Sequence, residues 1–316
     1  VIAISLASNP SVLVADEPTT SLDPSVQRGV LDLVLSLKKS RRLAVVLISH
    51  NLDLISHYSD SLVFFENGCF LRNKKTNRVS FLYNILKKIK TRDFGDSASF
   101  LDGSFYRSKS VFLGSDSFFD LKKISVCYSF LGKRFFALKN ISFRFNFSNC
   151  LGVVGGSGSG KTTLGRVLCG IEKNYSGLFV FPEKNFCLNK SSQMVYQDPF
   201  STFNPKYTVG DSVKEIIDLY KTGYNIVDLF KIVSLDSDFI TRFPHELSGG
   251  QKQRVSIARV LASDPDVIVF DECVSALDIE TQYSILELIR FINKILKICV
   301  VFISHDINSV YYLCDN

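Results

Sequence analysis

A glycine-rich loop, an acid pair and a histidine are the parts of this sequence whose residue types and spacing can support chemistry. The loop, GGSGSGKTT, occupies residues 155–163, between an apolar run at 151–154 and a helical apolar stripe at 164–168. Glycines let successive backbone N–H groups converge on phosphate oxygens, and a helix N-terminus adds partial positive charge. Lys161 is placed to reach the β- and γ-phosphates and Thr162 to bind Mg²⁺. The sequence therefore predicts a nucleotide-phosphate loop between a strand and a helix.

The acid pair follows an all-apolar run. Residues 267–270 read VIVF and lead into Asp271 and Glu272. Such a run is typical of a parallel strand buried on both faces, and α/β sheets bind ligands beyond the carboxyl ends of their strands. We therefore expect Asp271 to hold the Mg²⁺ shell and Glu272 to orient or deprotonate an attacking water.

A third segment, LSGGQKQRVSIARVLA at 247–262, predicts a helix with Ser248 as its N-cap. Gly249 and Gly250 at the helix start cost stability unless something approaches the backbone closely. An anion at the positive end of the helix is one explanation. A flexible helix entry is the alternative.

The sequence also repeats itself. LVADEPTTSLD at 13–23 returns as IVFDECVSALD at 268–278, and the two ends of the chain align without a gap at an offset of 255. That spacing is too long for a solenoid repeat and indicates a duplicated domain. The glycine-rich loop occurs once, so its counterpart is expected upstream of Val1. We accordingly expect the chain to be an internal piece of a longer protein.

Three segments follow from the repeat and the local composition. Residues 1–72 are predicted to be the C-terminal part of a first domain, 73–120 a basic and then serine-rich linker, and 121–316 a second domain whose C-terminal end is missing. Within the linker, 81–89 has the apolar spacing of a helix, and 93–120 has the composition of a loose connector. Two alternating segments after residue 121, ISVCYSF and ISFRFNF, predict strands with one buried face.

The net charge of +6 is concentrated in the middle of the chain, because residues 67–92 hold eight Lys and Arg and no acid. Attraction to anionic lipid or nucleic acid is one interpretation. A solvated linker face is favoured, because no aromatic stacking pattern accompanies the bases.

The overall composition, 46% apolar and 22% charged, excludes a disordered protein. No apolar run approaches the roughly 18 residues that span a bilayer, and no basic-then-apolar leader is recognisable. Eight cysteines are scattered without a CxxC pair or a metal-ligand spacing, which indicates ordinary buried thiols in a reducing cytosol. The composition thus predicts a soluble protein or a piece of one.

Together these motifs resemble an ABC-type ATPase domain. The glycine-rich loop, Gln197 in YQDPFSTFNP, the LSGGQ signature, the acid pair, the SALD turn and His305 occur in that family's order. The resemblance implies an α/β P-loop NTPase fold, with a RecA-like mixed-sheet core, an antiparallel β subdomain and a helical subdomain, here duplicated. QDPFSTFNP and PHELSGGQKQR more narrowly resemble the ATPase subunits of bacterial peptide importers, a group that also handles nickel and glutathione.

The resemblance implies a composite site, since two such domains pack head to tail and each ATP lies between the loop of one and the signature of the other. Tyr128 would stack on adenine, unless it is an ordinary strand residue. Asp278 and Asp23 would communicate across the pair. The implied catalytic residues are Glu272, His305, Gln197, Glu17 and His50. The implied nucleotide contacts are Tyr128, Gly155, Gly156, Ser157, Gly158, Ser159, Gly160, Lys161, Thr162, Thr163, Ser248, Gly249, Gly250, Gln251, Asp278 and Asp23. The implied Mg²⁺ ligands are Thr162, Gln197, Asp271 and Asp16.

The family further implies ATP and Mg²⁺ as cofactors, two transmembrane permease subunits and an extracytoplasmic solute-binding protein as partners, and a peripheral place on the cytoplasmic face of the inner membrane, with no nucleic acid bound. Cys273 departs from the family, which has Pro there, and no cysteine-rich tail for an iron–sulfur cluster is present in the linker. This chain alone is expected to bind ATP weakly and to hydrolyse it slowly or not at all.

Three other classes are less well supported. A ribosome-associated twin ATPase typically has Asn-His after the acid pair and lacks the QDP segment. A DNA-repair or chromosome ATPase would need a long insertion. A non-catalytic nucleotide sensor would not need a catalytic glutamate and histidine. Both copies have them, as Glu17 and His50 in the first and Glu272 and His305 in the second. The transported substrate, whether oligopeptide, dipeptide, glutathione or nickel, stays open.

Overall fold

The computed structural model describes residues 2–19, 24–41, 43–49, 55, 57–60, 63–66, 69–71, 118–130, 133–146, 150–180 and 191–314. They belong to two units, an N-terminal one and one that holds most of residues 93–316. Across these ranges no helix has both the length and the apolar character needed to cross a membrane. The predicted helix at 81–89, and Asp23 and His50, lie outside the described residues.

The N-terminal unit is built around two parallel strands. Its elements are α1 (Ile2–Ala7), β1 (Val12–Asp16), α2 (Pro24–Arg41), β2 (Ala44–Ile48), β3 (Phe64–Glu66) and β4 (Cys69–Leu71). β1 pairs with β2 in parallel, and β3 pairs with β4 in an antiparallel hairpin. A small core forms where Leu6, Leu13 and Leu43 pack together.

The described residues of the second unit form two sheets and six helices. Its strands are β5 (Phe118–Phe130), β6 (Lys133–Asn146), β7 (Cys150–Val154), β8 (Tyr175–Val180), β9 (Ser192–Val195), β10 (Val267–Asp271) and β11 (Cys299–Ser304). Its helices are α3 (Lys161–Leu168), α4 (Val209–Tyr220), α5 (Ile226–Ile232), α6 (Gly249–Leu261), α7 (Ile279–Lys294) and α8 (Ile307–Leu313). Short 3-10 turns lie at 200–202, 237–241 and 244–246.

The central sheet has the strand order β7-β11-β10-β9 and is parallel throughout. Every residue of β10 and β11 is buried, which confirms the prediction from their all-apolar sequences. Because side chains alternate along a strand, Val267 and Val269 enter one core while Ile268 and Phe270 enter the other. The carboxyl ends of all four strands meet at one edge, where the site must lie.

The two cores separate the layers of the unit. Leu164, Val167 and Leu168 of α3 pack with the antiparallel sheet β6-β5-β8 on one face of the central sheet. On the other face α4, α5, α6 and α7 contribute the larger core. In α6 the side chains of Val255, Ala258 and Leu261 are fully buried.

The antiparallel strands are longer than the sequence suggested. β5 begins at Phe118, so residues 118–120, which we expected in the loose connector, belong to the sheet. Phe119 is buried against Phe145 and Phe179, and Asp120 is bound by Arg144 at 2.8 Å. The composition of 93–120 predicted a loose connector, but residues 118–120 form part of a strand because β6 and β8 supply their pairing partners.

The two parallel strand pairs share backbone details at the offset of 255. Val12 faces Ala44 as Val267 faces Cys299, and Glu17 N donates to Ile48 O at 2.9 Å as Glu272 N donates to Ile303 O at 2.9 Å. The left-handed backbone of Glu17, with φ 44°, recurs at Glu272, with φ 48°. The surroundings differ: Val14 is 60% exposed, whereas Val269 is fully buried.

Candidate active site

The glycine-rich loop connects β7 to α3, and its backbone requires glycine. Gly158 and Gly160 have φ values of +75° and +95°, in the left-handed region that glycine tolerates. A Cβ on Gly160 would lie 2.3 Å from the carbonyl oxygen of Ala137, and a Cβ on Gly155 would lie 2.7 Å from Ser159 Oγ. The strand–loop–helix arrangement predicted from the sequence is confirmed.

Lys161 opens α3 and lies across this loop. Its side chain is buried, and its Nζ donates to the carbonyl oxygens of Gly155 and Gly156, both at 2.9 Å. The same Nζ lies 3.6 Å from Glu272 Oε1. A buried ammonium group at the start of a helix gives the loop a local positive charge, which suits the phosphates of a nucleotide.

Asp271 ends β10 and is 5% exposed. Burial raises the pKa of its carboxyl group, and a hydrogen bond from Thr162 acts in the opposite direction. Within the described residues, Asp271 Oδ1 has no hydrogen-bond partner. A buried carboxylate oxygen without a partner beside a threonine hydroxyl fits a hard divalent cation such as Mg²⁺, which takes few protein ligands and completes its shell with water and phosphate.

A metal cage made only of protein carboxylates, imidazoles and thiols is not found in the part of the chain that the structure describes. Asp271, with its buried Oδ1, and Thr162 would hold Mg²⁺ together with phosphate oxygens. Gln197, the third predicted ligand, lies two residues beyond β9, at the same edge of the sheet, and is exposed.

Glu272 and His305 are paired at the carboxyl edge of the central sheet. Glu272 Oε2 lies 3.4 Å from His305 Nδ1, while its other carboxylate oxygen faces Lys161. The hydrogen bond with His305, together with Lys161, lowers the pKa of Glu272. The same hydrogen bond raises the pKa of His305, although burial opposes it. Glu272 is thus held as a carboxylate at neutral pH.

Tyr128 lies on β5 next to the phosphate loop. Its hydroxyl donates to Glu172 Oε2 at 2.7 Å, and its ring is 5.8 Å from the ring of Phe135. This hydrogen bond raises the pKa of Tyr128 and lowers that of Glu172, and a contact with Thr163 ties the tyrosine to α3. Sequence reasoning missed Glu172, because its partner is 44 residues away and no local motif marks it.

The signature segment caps α6. Ser248 Oγ accepts from Gln251 N at 3.3 Å, and Gln251 Oε1 accepts from Ser248 N at 2.9 Å, so the predicted N-cap is confirmed as a capping box. A Cβ on Gly250 would lie 2.3 Å from Thr281 Cγ2, whereas one on Gly249 would meet Leu277 at an ordinary 3.4 Å. Packing against α7 is therefore a reason for Gly250 that neither sequence interpretation included.

Within the second unit, the structure brings one group of predicted residues together. Lys161, Thr162, Asp271, Glu272 and His305 meet at the carboxyl edge of the central sheet. The hydrogen bonds of Ser248 and Gln251 are to each other, and Asp278 is exposed immediately before α7. In the N-terminal unit, Asp16 and Glu17 stand at the end of β1.

Comparisons with known proteins indicate a family for this unit. The family model described as ABC transporter matches residues 138–275. The glutathione import ATP-binding proteins GsiA of Salmonella choleraesuis (strain SC-B67) and Escherichia coli (strain K12) are each 28% identical to the chain, over 98% of the chain and 56% of the relative. The chain therefore spans little more than half the length of these curated relatives.

Two solved structures extend the likeness to the fold. The dimeric ATP-binding cassette MJ0796 bound to ADP and Pi superimposes with a TM-score of 0.53 at 27% identity, over 60% of this chain and 89% of that one. A cassette of the transporter complex cbiONQ from Clostridium perfringens has a TM-score of 0.53 at 27% identity, over 62% and 82%. With the phosphate loop, the acid pair and the family match in one unit, the chain contains an ABC transporter ATPase domain with the P-loop NTPase fold.

Proposed function

We propose that this chain belongs to the ATP-hydrolysing subunit of a bacterial importer for small peptides, glutathione among them. The observation that carries the proposal is the cluster at the carboxyl edge of the central sheet, where Lys161 crosses the glycine-rich loop and faces Glu272, which is paired with His305. The names of the relatives and the QDPFSTFNP segment support the substrate class.

Binding would begin with the phosphates at the loop. Lys161 exchanges its bonds to the carbonyl oxygens of Gly155 and Gly156 for bonds to the β- and γ-phosphates, and the N-terminus of α3 adds its dipole. Tyr128, fixed by Glu172, offers its ring to the adenine. Mg²⁺ held by Thr162 and Asp271 would neutralise phosphate charge.

Hydrolysis would depend on Glu272. A carboxylate held ionised can accept a hydrogen bond from water and orient it toward the γ-phosphate. His305 contacts the same carboxylate through its Nδ1, at 3.4 Å. Once Glu272 turns to the water, the imidazole can donate to the γ-phosphate. Gln197, exposed at the same edge, completes the set as a contact to the water and to Mg²⁺.

We further propose that the N-terminal unit is the C-terminal part of a first ATPase domain, which matches the second domain at 121–316. Three features support this duplication: the shared strand register, the left-handed Glu17 and Glu272, and the relatives' alignment over 98% of the chain. Val14, Val46 and Ile48 are about half exposed or more, whereas their counterparts at the offset of 255 are buried. We expect the counterpart of α3 to cover this face in the whole protein.

The two domains would then form composite sites. Each ATP would lie between the phosphate loop of one domain and the signature segment of the other. In the second domain the signature segment contains Ser248–Gln251. Asp278 and Asp23 would lie near the contact between the two domains. In the first domain, the Mg²⁺ ligand would be Asp16, and the catalytic residues would be Glu17 and His50. The partners proposed are two permease subunits and a solute-binding protein, with the ATPase on the cytoplasmic face of the inner membrane and no nucleic acid bound.

ATP turnover by the whole protein tests the proposal. Glu272→Gln should keep ATP binding and reduce hydrolysis about 100-fold or more, because the water loses its base but the loop is untouched. Glu215→Gln, on the exposed face of α4, removes the same charge away from the site and is the matched control. Equal hydrolysis by the two variants, or no ATP-dependent glutathione uptake by vesicles that contain the complete transporter, would contradict the proposal.

A further inference from the structure

Two thiols far apart in the sequence meet at the amino end of β7, the end of the strand opposite the phosphate loop. Cys150 Sγ and Cys314 Sγ are 3.3 Å apart, although 164 positions separate the residues in the chain. Cys150 opens β7, the strand that leads into the phosphate loop, and Cys314 follows α8, the helix that begins just after His305. The thiols therefore connect the strand that leads into the phosphate loop with the helix that follows His305.

Hydrogen bonds at both ends of α8 fix the position of Cys314. Asp306 caps the helix by accepting from Asn308 N and Ser309 N, and Cys314 N donates to Val310 O at 2.8 Å. Gln282 of α7 donates to Ser309 Oγ at 2.7 Å. Cys314 thus directly follows an anchored helix.

The exposure of the two residues is unequal. Cys150 is 1% exposed, whereas Cys314 is partly exposed, so an oxidant in solvent reaches Cys314 first. The neighbouring Cys299 is buried in the opposite core, and Cys127 is exposed on β5, contrary to the expectation that the cysteines are ordinary buried thiols. Among the described cysteines, the geometry selects one pair.

We propose that Cys150 and Cys314 form a reversible intramolecular disulfide that locks α8 against β7 under oxidising conditions. A disulfide requires sulfurs about 2.05 Å apart, so the two sulfurs, now 3.3 Å apart, must move closer for the bond to form. The lock acts on the segment that follows His305 and on the strand that feeds the loop. It does not depend on the transported substrate.

The chemistry balances with hydrogen peroxide as the oxidant. The Cys314 thiolate attacks one peroxide oxygen, the O–O bond breaks, and a sulfenic acid forms while hydroxide leaves and is protonated to water. The Cys150 thiolate then attacks the sulfenic sulfur, the S–O bond breaks, and the S–S bond forms with loss of a second water. The two thiols lose two electrons in total, and one peroxide is reduced to two waters.

The test treats the full chain with hydrogen peroxide and maps disulfides by mass spectrometry after non-reducing digestion. We expect one linked peptide pair that contains Cys150 and Cys314, with a mass 2 Da below that of the two thiol peptides, and complete reversal by dithiothreitol. Hydrogen exchange of residues 307–313 should slow about tenfold in the oxidised form. Cys127→Ser is the matched control and should leave both results unchanged.

Two further variants keep the result interpretable. Cys314→Ser should abolish the linked pair and the slower exchange, and circular dichroism of the reduced variant reports whether it folds. Cys150→Ala should leave Cys314 as a sulfinic acid or a mixed adduct. The proposal is overturned if wild-type Cys314 is oxidised without linking to Cys150, if another cysteine takes its place, or if the linked form exchanges at residues 307–313 as fast as the reduced form.

Discussion

His305 Nδ1 lies 3.4 Å from Glu272 Oε2, across the neighbouring parallel strands β11 and β10. The contact exists because both strands end at the same edge of the sheet and because the left-handed backbone at Glu272 directs its carboxylate back toward β11. The other oxygen of the carboxylate faces Lys161 at 3.6 Å. One carboxylate is therefore shared between Lys161 and His305.

The first prediction concerns the titration of this pair. The raised pKa of His305 means that the folded state favours the imidazolium ion, so its contribution to stability is complete below the ordinary value of about 6.5 and is lost as pH rises through the folded pKa. The lowered pKa of Glu272 gives a contribution that is present above its ordinary value of about 4.5 and is lost as pH falls through the folded pKa. The pair should stabilise the protein most between those two limits.

NMR titration of the imidazole resonances measures this directly, with His305→Gln used for assignment. The pKa of His305 should lie above 6.5 in the wild type and should fall in Glu272→Gln, because the charged partner is gone. Glu215→Gln should leave it unchanged. A His305 pKa that does not respond to Glu272→Gln would contradict the pairing.

The second prediction concerns Asp271. Its buried Oδ1 lacks a hydrogen-bond partner among the described residues, and burial raises its pKa, so the charged form destabilises the nucleotide-free protein. Asp271→Asn should therefore raise the melting temperature without nucleotide, while it abolishes the additional stabilisation that ATP gives when Mg²⁺ is present. Thermal unfolding with and without ATP and Mg²⁺ measures both effects. A destabilised variant that still responds to Mg²⁺ would argue against a cation site at Asp271.

Local patterns in the sequence predicted the parts of the site that lie within one strand–loop–helix unit. VIVF before the acid pair predicted a buried parallel strand, and β10 is buried throughout. GGSGSGKTT predicted a loop that needs glycine, and Gly160 has a left-handed backbone against the carbonyl group of Ala137. In each case the residues that determine the structure are adjacent in sequence.

Contacts between distant segments were not predictable in this way. Glu172 meets Tyr128 across 44 positions, and Cys314 meets Cys150 across 164. No periodicity links such residues, because their meeting depends on how the antiparallel sheet and α8 pack on the central sheet. The start of β5 at Phe118 has the same explanation, since its partners on β6 and β8 lie elsewhere in the chain.

The third prediction separates the ring of Tyr128 from its hydroxyl. If the ring stacks on adenine, Tyr128→Ala should weaken ATP binding about tenfold, whereas Tyr128→Phe should keep most of the affinity. Glu172→Gln should behave like Tyr128→Phe, because it weakens only the bond that fixes the ring. Titration with a fluorescent ATP analogue measures the affinities. Equal affinity of the alanine variant and the wild type would make Tyr128 an ordinary strand residue.

The last prediction concerns the start of α6. A methyl group on Gly250 would lie 2.3 Å from Thr281 Cγ2, so Gly250→Ala should lower the free energy of unfolding by about 1–3 kcal/mol, although alanine is the better helix residue. Thr281→Ser removes the obstructing methyl group and should restore most of that loss in the double variant. Gly249→Ala, with 3.4 Å to Leu277, is the matched control and should be neutral or slightly stabilising. Chemical denaturation of the four proteins gives the coupling free energy, and additive effects of Gly250→Ala and Thr281→Ser would show that the two side chains do not compete for the same space.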